Sequence, residues 1–260
     1  MDWLYTLSGF FVGLIVGVTG VGGGSLMTPL LVLFFGVSPA TAVGTDLLYA
    51  SITKSMGGWV HAAKGSVDWQ VVKLLALGSL PAALITIASF KVLALEEKTL
   101  SSLVTSVLSV ALLATAAALL LKDWIKKIAR RDDGSVYELH HRNLPAATIA
   151  TGVVVGVLVT ISSVGAGVLG TVAILFLYPR MSAVKVVGTD IVHAVPLTAV
   201  AGMGHMALGT VDFVLLGSLL LGSLPGIYIG SHLSAKVPEN VLRPLLATML
   251  LIIGMKMVFY

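Results

Sequence analysis

Residues 39–62 read PATAVGTDLLYASITKSMGGWVHA, and residues 183–206 read AVKVVGTDIVHAVPLTAVAGMGHM. Gly44-Thr45-Asp46 in the first returns as Gly188-Thr189-Asp190 in the second, and its surroundings return with it. His61 is matched by His205, Val67-Asp68 by Val211-Asp212, and residues 77–81 (LGSLP) by residues 221–225, all 144 positions apart. Upstream, Val21-Gly22-Gly23-Gly24 corresponds to Val164-Gly165-Ala166-Gly167 at an offset of 143. A fixed offset of this length means that the chain is two copies of one unit, each carrying an apolar segment with a carboxylate at the same place.

Of the 260 residues, 57% are hydrophobic and only 11% charged, and the mean hydropathy is +1.02. A soluble domain carries roughly 25% charged residues, so too little charge is available here for a water-facing surface. Apolar runs of about 20 residues, long enough to cross about 30 Å of hydrocarbon, recur throughout. The composition predicts an all-α polytopic membrane protein and excludes a β-barrel, whose segments are short and alternating. With no cysteine, disulfides and thiolate chemistry are excluded. The first segment lacks a basic flank and belongs to the repeat, so it is not expected to be cleaved.

Ten apolar segments follow, at 3–20, 24–36, 39–62, 70–93 and 99–121, then 145–162, 166–178, 183–206, 211–233 and 240–259. The second of each half is too short to span comfortably and follows a glycine-rich run, which predicts a broken or re-entrant helix. Between the halves, residues 122–143 hold ten of the 28 Asp, Glu, Lys and Arg residues. The excess of Lys and Arg there places this loop in the cytoplasm. The expected organisation is a first transmembrane repeat (1–121), a cytoplasmic charged loop (122–143) and a second repeat (144–260). An odd number of crossings per half makes these inverted repeats, an arrangement common in secondary transporters; an even number makes them parallel.

Asp46 and Asp190 are the residues that cost most in lipid, at least about 2.5–3.5 kcal/mol each at mid-bilayer. They are candidates for proton or ion coupling, with His61 and His205 as candidate relays because imidazole titrates near neutral pH. The alternative for the acids is capping of a half-helix, and for the histidines an interfacial hydrogen bond. Helical spacing puts Asp46, Tyr49 and Thr53 on one face with Lys54 alongside, and Asp190 and His193 on the matching face. Lys54 is not repeated, Thr198 taking its place; it either contacts an anionic substrate or snorkels to the interface.

The glycine runs serve close helix packing, with Gly9, Gly13 and Gly17 and then Gly152 and Gly156 at four-residue spacing. A second reading is an unwound backbone whose N–H groups bind an anion. On that reading Gly22, Gly23, Gly24, Ser25, Thr45, Tyr49, Lys54, Ser163, Gly165, Thr189 and His193 are the candidate substrate-binding residues. No Gly-Lys-Ser/Thr follows the run, so it is not a nucleotide loop. No spacing suits a metal, and no cofactor is implied. The partners expected are a small anionic substrate and membrane lipid, not nucleic acid; a homodimer is compatible with the sequence.

The run Gly17-x-x-Gly20-x-Gly22-Gly23-Gly24-Ser25-x-x-x-Pro29-x-Leu31, the Ala42-x-Gly44-Thr45-Asp46 that follows, and the later GTVD (209–212) and GSLP (222–225) elements resemble the TauE/SafE family of membrane permeases, also called the toluene sulfonate uptake permease family. The similarity covers nearly the whole chain apart from 122–143. The second half departs from the pattern, with Ser162-Ser163-Val164-Gly165-Ala166-Gly167 and no proline matching Pro29, so the two hairpins are not equivalent. The resemblance implies transport of sulfur-containing anions such as sulfite, sulfoacetate or other sulfonates across the bacterial inner membrane. From the residues alone, an intramembrane enzyme using the Asp pair and a proton-linked cation carrier remain as alternatives.

Overall fold

The computed structural model describes residues 3–19, 24–93, 96–129, 135–233 and 239–259. Within them the chain forms ten α-helices and no strand. The first half comprises α1 (Trp3–Thr19), α2 (Gly24–Phe35), α3 (Pro39–Ala63), α4 (Trp69–Val92) and α5 (Glu97–Ala129). The second comprises α6 (Ser135–Ser162), α7 (Val168–Leu177), α8 (Ala183–Ala207), α9 (Phe213–Leu233) and α10 (Glu239–Val258). Each helix coincides with a predicted apolar segment. Five are long and apolar enough to cross a membrane: α4, Lys98–Lys122 of α5, Asn143–Ser162 of α6, α8, and Phe213–Gly230 of α9.

The stretch read as a loop, 122–143, is different. Helix α5 continues to Ala129 and α6 begins at Ser135, so its described residues are helical. Lys, Glu and Arg are good helix formers, and their charge marks where the apolar environment ends rather than where the helix ends.

The start signals are chemical and doubled. Ser38 caps α3 through its hydroxyl, which accepts from the Thr41 N–H, and Ser182 caps α8 in the same way. Asp68 caps α4 by accepting from Gln70 and Val71 N–H groups, and Asp212 caps α9 by accepting from Val214 and Leu215. The α3–α4 and α8–α9 turns pass through Gly65 (φ 64°) and Gly209 (φ 75°), a region costly for any residue with a Cβ.

Small residues set how the helices meet. Helix α1 packs along α9 and α6 along α4 so closely that a Cβ on Gly222 would lie 1.8 Å from the Thr6 carbonyl oxygen, and one on Gly78 2.1 Å from that of Ile149. Likewise Gly9 abuts the Leu219 backbone and Gly152 the Leu75 backbone. Without a hydrophobic drive between helices in lipid, such backbone approach supplies the van der Waals contact that holds them together. The faces turned outward carry large apolar side chains such as Trp59, Leu77, Ile85, Val110 and Tyr228.

Helices α3 and α8 cross at the centre. The Ser51 hydroxyl donates to the Val195 carbonyl, Gly58 faces Val192 and Val195, and Gly202 faces Leu48. Residue numbers fall along α8 as they rise along α3, so these two equivalent helices run antiparallel.

Candidate functional site

Asp46 and Asp190 lie on these central helices, with 0% and 2% of their surface exposed. Each meets a threonine from the short helix of its own half. Thr28 Oγ1 in α2 donates to Asp46 Oδ2 at 2.6 Å, and Thr171 Oγ1 in α7 donates to Asp190 Oδ2 at 3.1 Å. The other oxygen of each carboxyl, Oδ1, is buried without a hydrogen-bond partner. Gly170 makes room for the one on Asp190: a Cβ there would fall 2.1 Å from that oxygen.

One helical turn further along sit Tyr49 and His193, repeat mates of different chemistry. His193 Nε2 bonds Ser79 Oγ at 2.8 Å. The Tyr49 hydroxyl faces Ser223, the mate of Ser79, outside hydrogen-bond geometry and has no partner. Both serines come from the repeated Gly-Ser-Leu-Pro element, so each half supplies a serine to the central helix of the other.

The break between α6 and α7 completes the centre. Ser162 closes α6, its hydroxyl accepting from Val164 N–H, and positive φ follows at Ser163 (57°), Gly165 (118°) and Gly167 (151°). Gly170 N–H bonds back to Gly165 and Thr171 N–H to Gly167, which passes over the Ala166 carbonyl. Lys54 Nζ, from α3 of the other half, donates to that carbonyl. Lys54 is 8% exposed, and both Asp46 and Asp190 act on it electrostatically. Ser163 faces Asp46, its buried hydroxyl lacking a hydrogen-bond partner. Among the described residues the arrangement is two carboxyls, one ammonium and the unpartnered hydroxyls of Tyr49 and Ser163, in a space where an unpaired polar group is expensive.

The remaining candidate residues take other positions. Thr45 and Thr189 are fully buried and receive the backbone N–H groups of Asp212 and Asp68, at 3.0 and 2.9 Å, so each anchors the start of a helix in the opposite half. His61 and His205 staple their own turns, with Nδ1 2.9 Å from Ser66 Oγ and Thr210 Oγ1 respectively. His205 also bonds the Thr160 carbonyl through Nε2 at 2.9 Å. Each histidine contacts the glycine two residues before the aspartate of the other half: His61 meets Gly188, and His205 meets Gly44. Gly22 and Gly23 lie outside the described residues; Gly24 opens α2, and Ser25 is buried. Among the described residues no cluster of His, Asp or Glu is arranged to hold a metal ion.

Sequence reasoning missed Thr28 and Thr171. They are 143 positions apart, the offset of the glycine runs beside them, and that offset was the available signal. It also missed the Ala166 carbonyl, which only backbone geometry reveals.

Fold and centre together define a multi-pass α-helical membrane protein with charged groups buried where two central helices cross. A model of the sulfite exporter TauE/SafE family matches residues 5–257, and the chain belongs to that family of membrane transporters. It is 37% identical over 252 residues to the probable membrane transporter protein YjnA of Bacillus subtilis, covering 97% of this chain and 98% of that one. The probable membrane transporter proteins YdhB of B. subtilis and MJ0441 of Methanocaldococcus jannaschii are each 25% identical, over 96% and 98% of this chain and 97% and 94% of theirs. No solved structure matches the chain.

Proposed function

We infer that the protein is a secondary transporter of small sulfur-containing anions, of the sulfite or sulfonate type, coupled to protons. The observation that carries this reading is Lys54, one ammonium buried at a helix break within electrostatic reach of two carboxyls. With both acids ionised the centre holds a net charge of −1, and a bound monoanion makes it −2. Like charges at close range in low dielectric repel strongly, so the stable loaded state takes up a proton on one carboxyl. Proton and anion then move together. The unpartnered Tyr49 and Ser163 hydroxyls are the donors for the anion's oxygens.

The proposed architecture is two inverted repeats, 1–121 and 144–260, exchanging access around this centre in the bacterial inner membrane with 122–143 cytoplasmic. The antiparallel crossing of α3 and α8 supports it. So does the length of α7, whose ten residues span about 15 Å, half of the hydrocarbon thickness and suited to a re-entrant element. Proteoliposomes loaded with sulfite, sulfoacetate or a simple alkyl sulfonate provide the test. Counterflow of at least one of them, accelerated by an inward proton gradient, is expected. Failure to move any such anion under any imposed gradient refutes the reading.

A further inference from the structure

The central crossing is symmetric, and the seams beside it are not. Ser51 bonds the carbonyl of Val195, its own repeat mate, and the contact of Gly58 with Val192 is the equivalent of that of Gly202 with Leu48. Helix α4 of the first half flanks α8, and α9 of the second flanks α3. Both seams begin alike, with Thr189 accepting from the Asp68 N–H and Thr45 from that of Asp212.

Beyond that start only one seam stays joined. On α8, His193, Leu197, Val200 and Gly204 share a face at i, i+4, i+7 and i+11. His193 bonds Ser79 of α4, Leu197 is buried, and Val200 and Ile87 of α4 pack on one core cluster. Gly204 lies so near Ile87 that a Cβ would come within 2.6 Å of it. Lys185 further ties the start of α8 to Asp68. The same face of α3 carries Tyr49, Thr53, Met56 and Val60. There the buried Tyr49 hydroxyl faces Ser223 of α9 without a bond, and Thr53 turns to carbonyls of its own helix. Met56 and Val60 are 61% and 46% exposed. The place of Lys185 is taken by Thr41, which has no charge. Since α4 covers this face in one copy of the unit, α9 is the element that covers it in the other.

We propose that these seams are the two gates to the buried centre. The α4–α8 gate is shut in this structure, and the α3–α9 gate is open to water from Tyr49 onward. In the alternate state α9 closes on α3 through a Tyr49–Ser223 bond as the Ser79–His193 bond breaks. An unpaired buried hydroxyl is costly, and this exchange leaves one latch bonded in either state, so neither state is strongly favoured by the latches. Packed seams of this kind switch between discrete arrangements rather than deforming continuously. The inference rests on the transport reading, to which it adds the route of access and the residues that close it.

The test needs no cargo. Met56→Cys and Val200→Cys are made singly in this cysteine-free chain, and the protein is placed in lipid nanodiscs, where an impermeant maleimide reaches both faces but not lipid-facing thiols. Met56→Cys is expected to label and Val200→Cys to stay unlabelled over the same interval. Adding Ser79→Ala is expected to raise Val200→Cys labelling and to lower Met56→Cys labelling, each by about fivefold, the change in equilibrium that loss of one typical hydrogen bond produces. Adding Tyr49→Phe as well is expected to restore Met56→Cys labelling, because the second latch then cannot form. An unreactive Met56→Cys places that face against lipid and overturns the proposal. So do rates that Ser79→Ala leaves unchanged, or a rise at position 200 without a fall at position 56. Should Ser79→Ala not be recovered folded, Lys185→Ala, which cuts the other bond of the same seam, carries the same readout. Anion counterflow in proteoliposomes is measured on the parent separately, so a failure of the gates leaves the transport reading standing.

Discussion

Lys185 Nζ lies 3.0 Å from Asp68 Oδ2, joining the start of α8 to the α3–α4 turn across the two halves. The equivalent place in the other copy pairs Asp212 with Thr41, whose hydroxyl accepts from that of Ser38 instead. One end of the central crossing is thus fastened by an ion pair and its mate is not.

Partial burial on its own raises the affinity of the Asp68 carboxyl for a proton. The Lys185 bond and charge and the helix N–H groups outweigh it and hold the carboxyl below its ordinary 3.8. A depressed folded value stabilises the fold above pH 3.8, and that contribution fades as pH falls through the lower folded value. Asp68→Asn keeps the helix cap and removes only the charge. It is expected to cost about 0.2–1 kcal/mol at pH 7, the range of exposed ion pairs, and progressively less as pH falls from 3.8 through the lower folded value. Thermal midpoints across this pH range check it, and added salt is expected to shrink the difference.

Backbone contact at glycine separates two kinds of substitution. Gly222→Ala places a Cβ 1.8 Å from the Thr6 carbonyl oxygen, and two helices must part to admit it. Gly57→Ala meets nothing nearer than an Ile191 methyl at 3.7 Å. The first is expected to destabilise by about 1–3 kcal/mol or more, as overpacking does. The second is expected to be neutral or to gain up to about 1 kcal/mol from helix propensity. Unfolding in detergent, compared for the two, tests the assignment of α1 and α9 as a glycine-mediated seam.

Much of this architecture was legible because the chain states it twice. The ten helices follow from apolar length, and the doubled Gly44-Thr45-Asp46 marks the two helices that cross at the centre. Two things were not legible. Periodicity assigns Thr45 and Asp46 to neighbouring positions but cannot say that Thr45 serves Asp212 of the other half while Asp46 stays inside, since that depends on how α3 and α9 meet. Charge density ended the predicted segments at 121 and 145, whereas the helices run on into the charged stretch, because helix formation ends with capping and propensity and not with the membrane.

Thr28 holds Asp46 through Oδ2, and Oδ1 is already bare. Thr28→Val preserves shape and takes away the short bond to Oδ2. A loss of about 1–3 kcal/mol is expected, and a smaller one for Thr171→Val, whose bond is longer. Equal losses would show that the two carboxyls are held alike. The comparison is made by thermal unfolding at fixed pH.

Ala63 and Ala207 are repeat mates, both exposed, each ending its central helix. In a chain without native cysteine, Ala63→Cys and Ala207→Cys can be labelled singly with an impermeant maleimide in right-side-out and inverted vesicles. Inverted repeats predict opposite sidedness, with position 63 cytoplasmic. Labelling of both from one side refutes inversion and leaves the parallel arrangement.

The carboxyl pair admits the sharpest comparison. Asn imitates a protonated Asp in shape and charge, and its side-chain oxygen still accepts from Thr28 or Thr171. If a carboxyl carries the coupled proton, its Asn variant enters every cycle already neutral. Substrate binding and counterflow are then retained, while acceleration by a proton gradient is lost. If the carboxyl is only a structural anchor, the variant keeps the parent's response to the gradient. Because Lys54 offsets one of the two negative charges, the expectation is unequal behaviour: one of Asp46→Asn and Asp190→Asn loses gradient dependence, and the other, the partner of Lys54, loses binding as well. Counterflow and pH-driven uptake measured side by side on both variants separate these outcomes. Retention of the full proton response by both variants makes the carboxyls anchors and removes them from coupling.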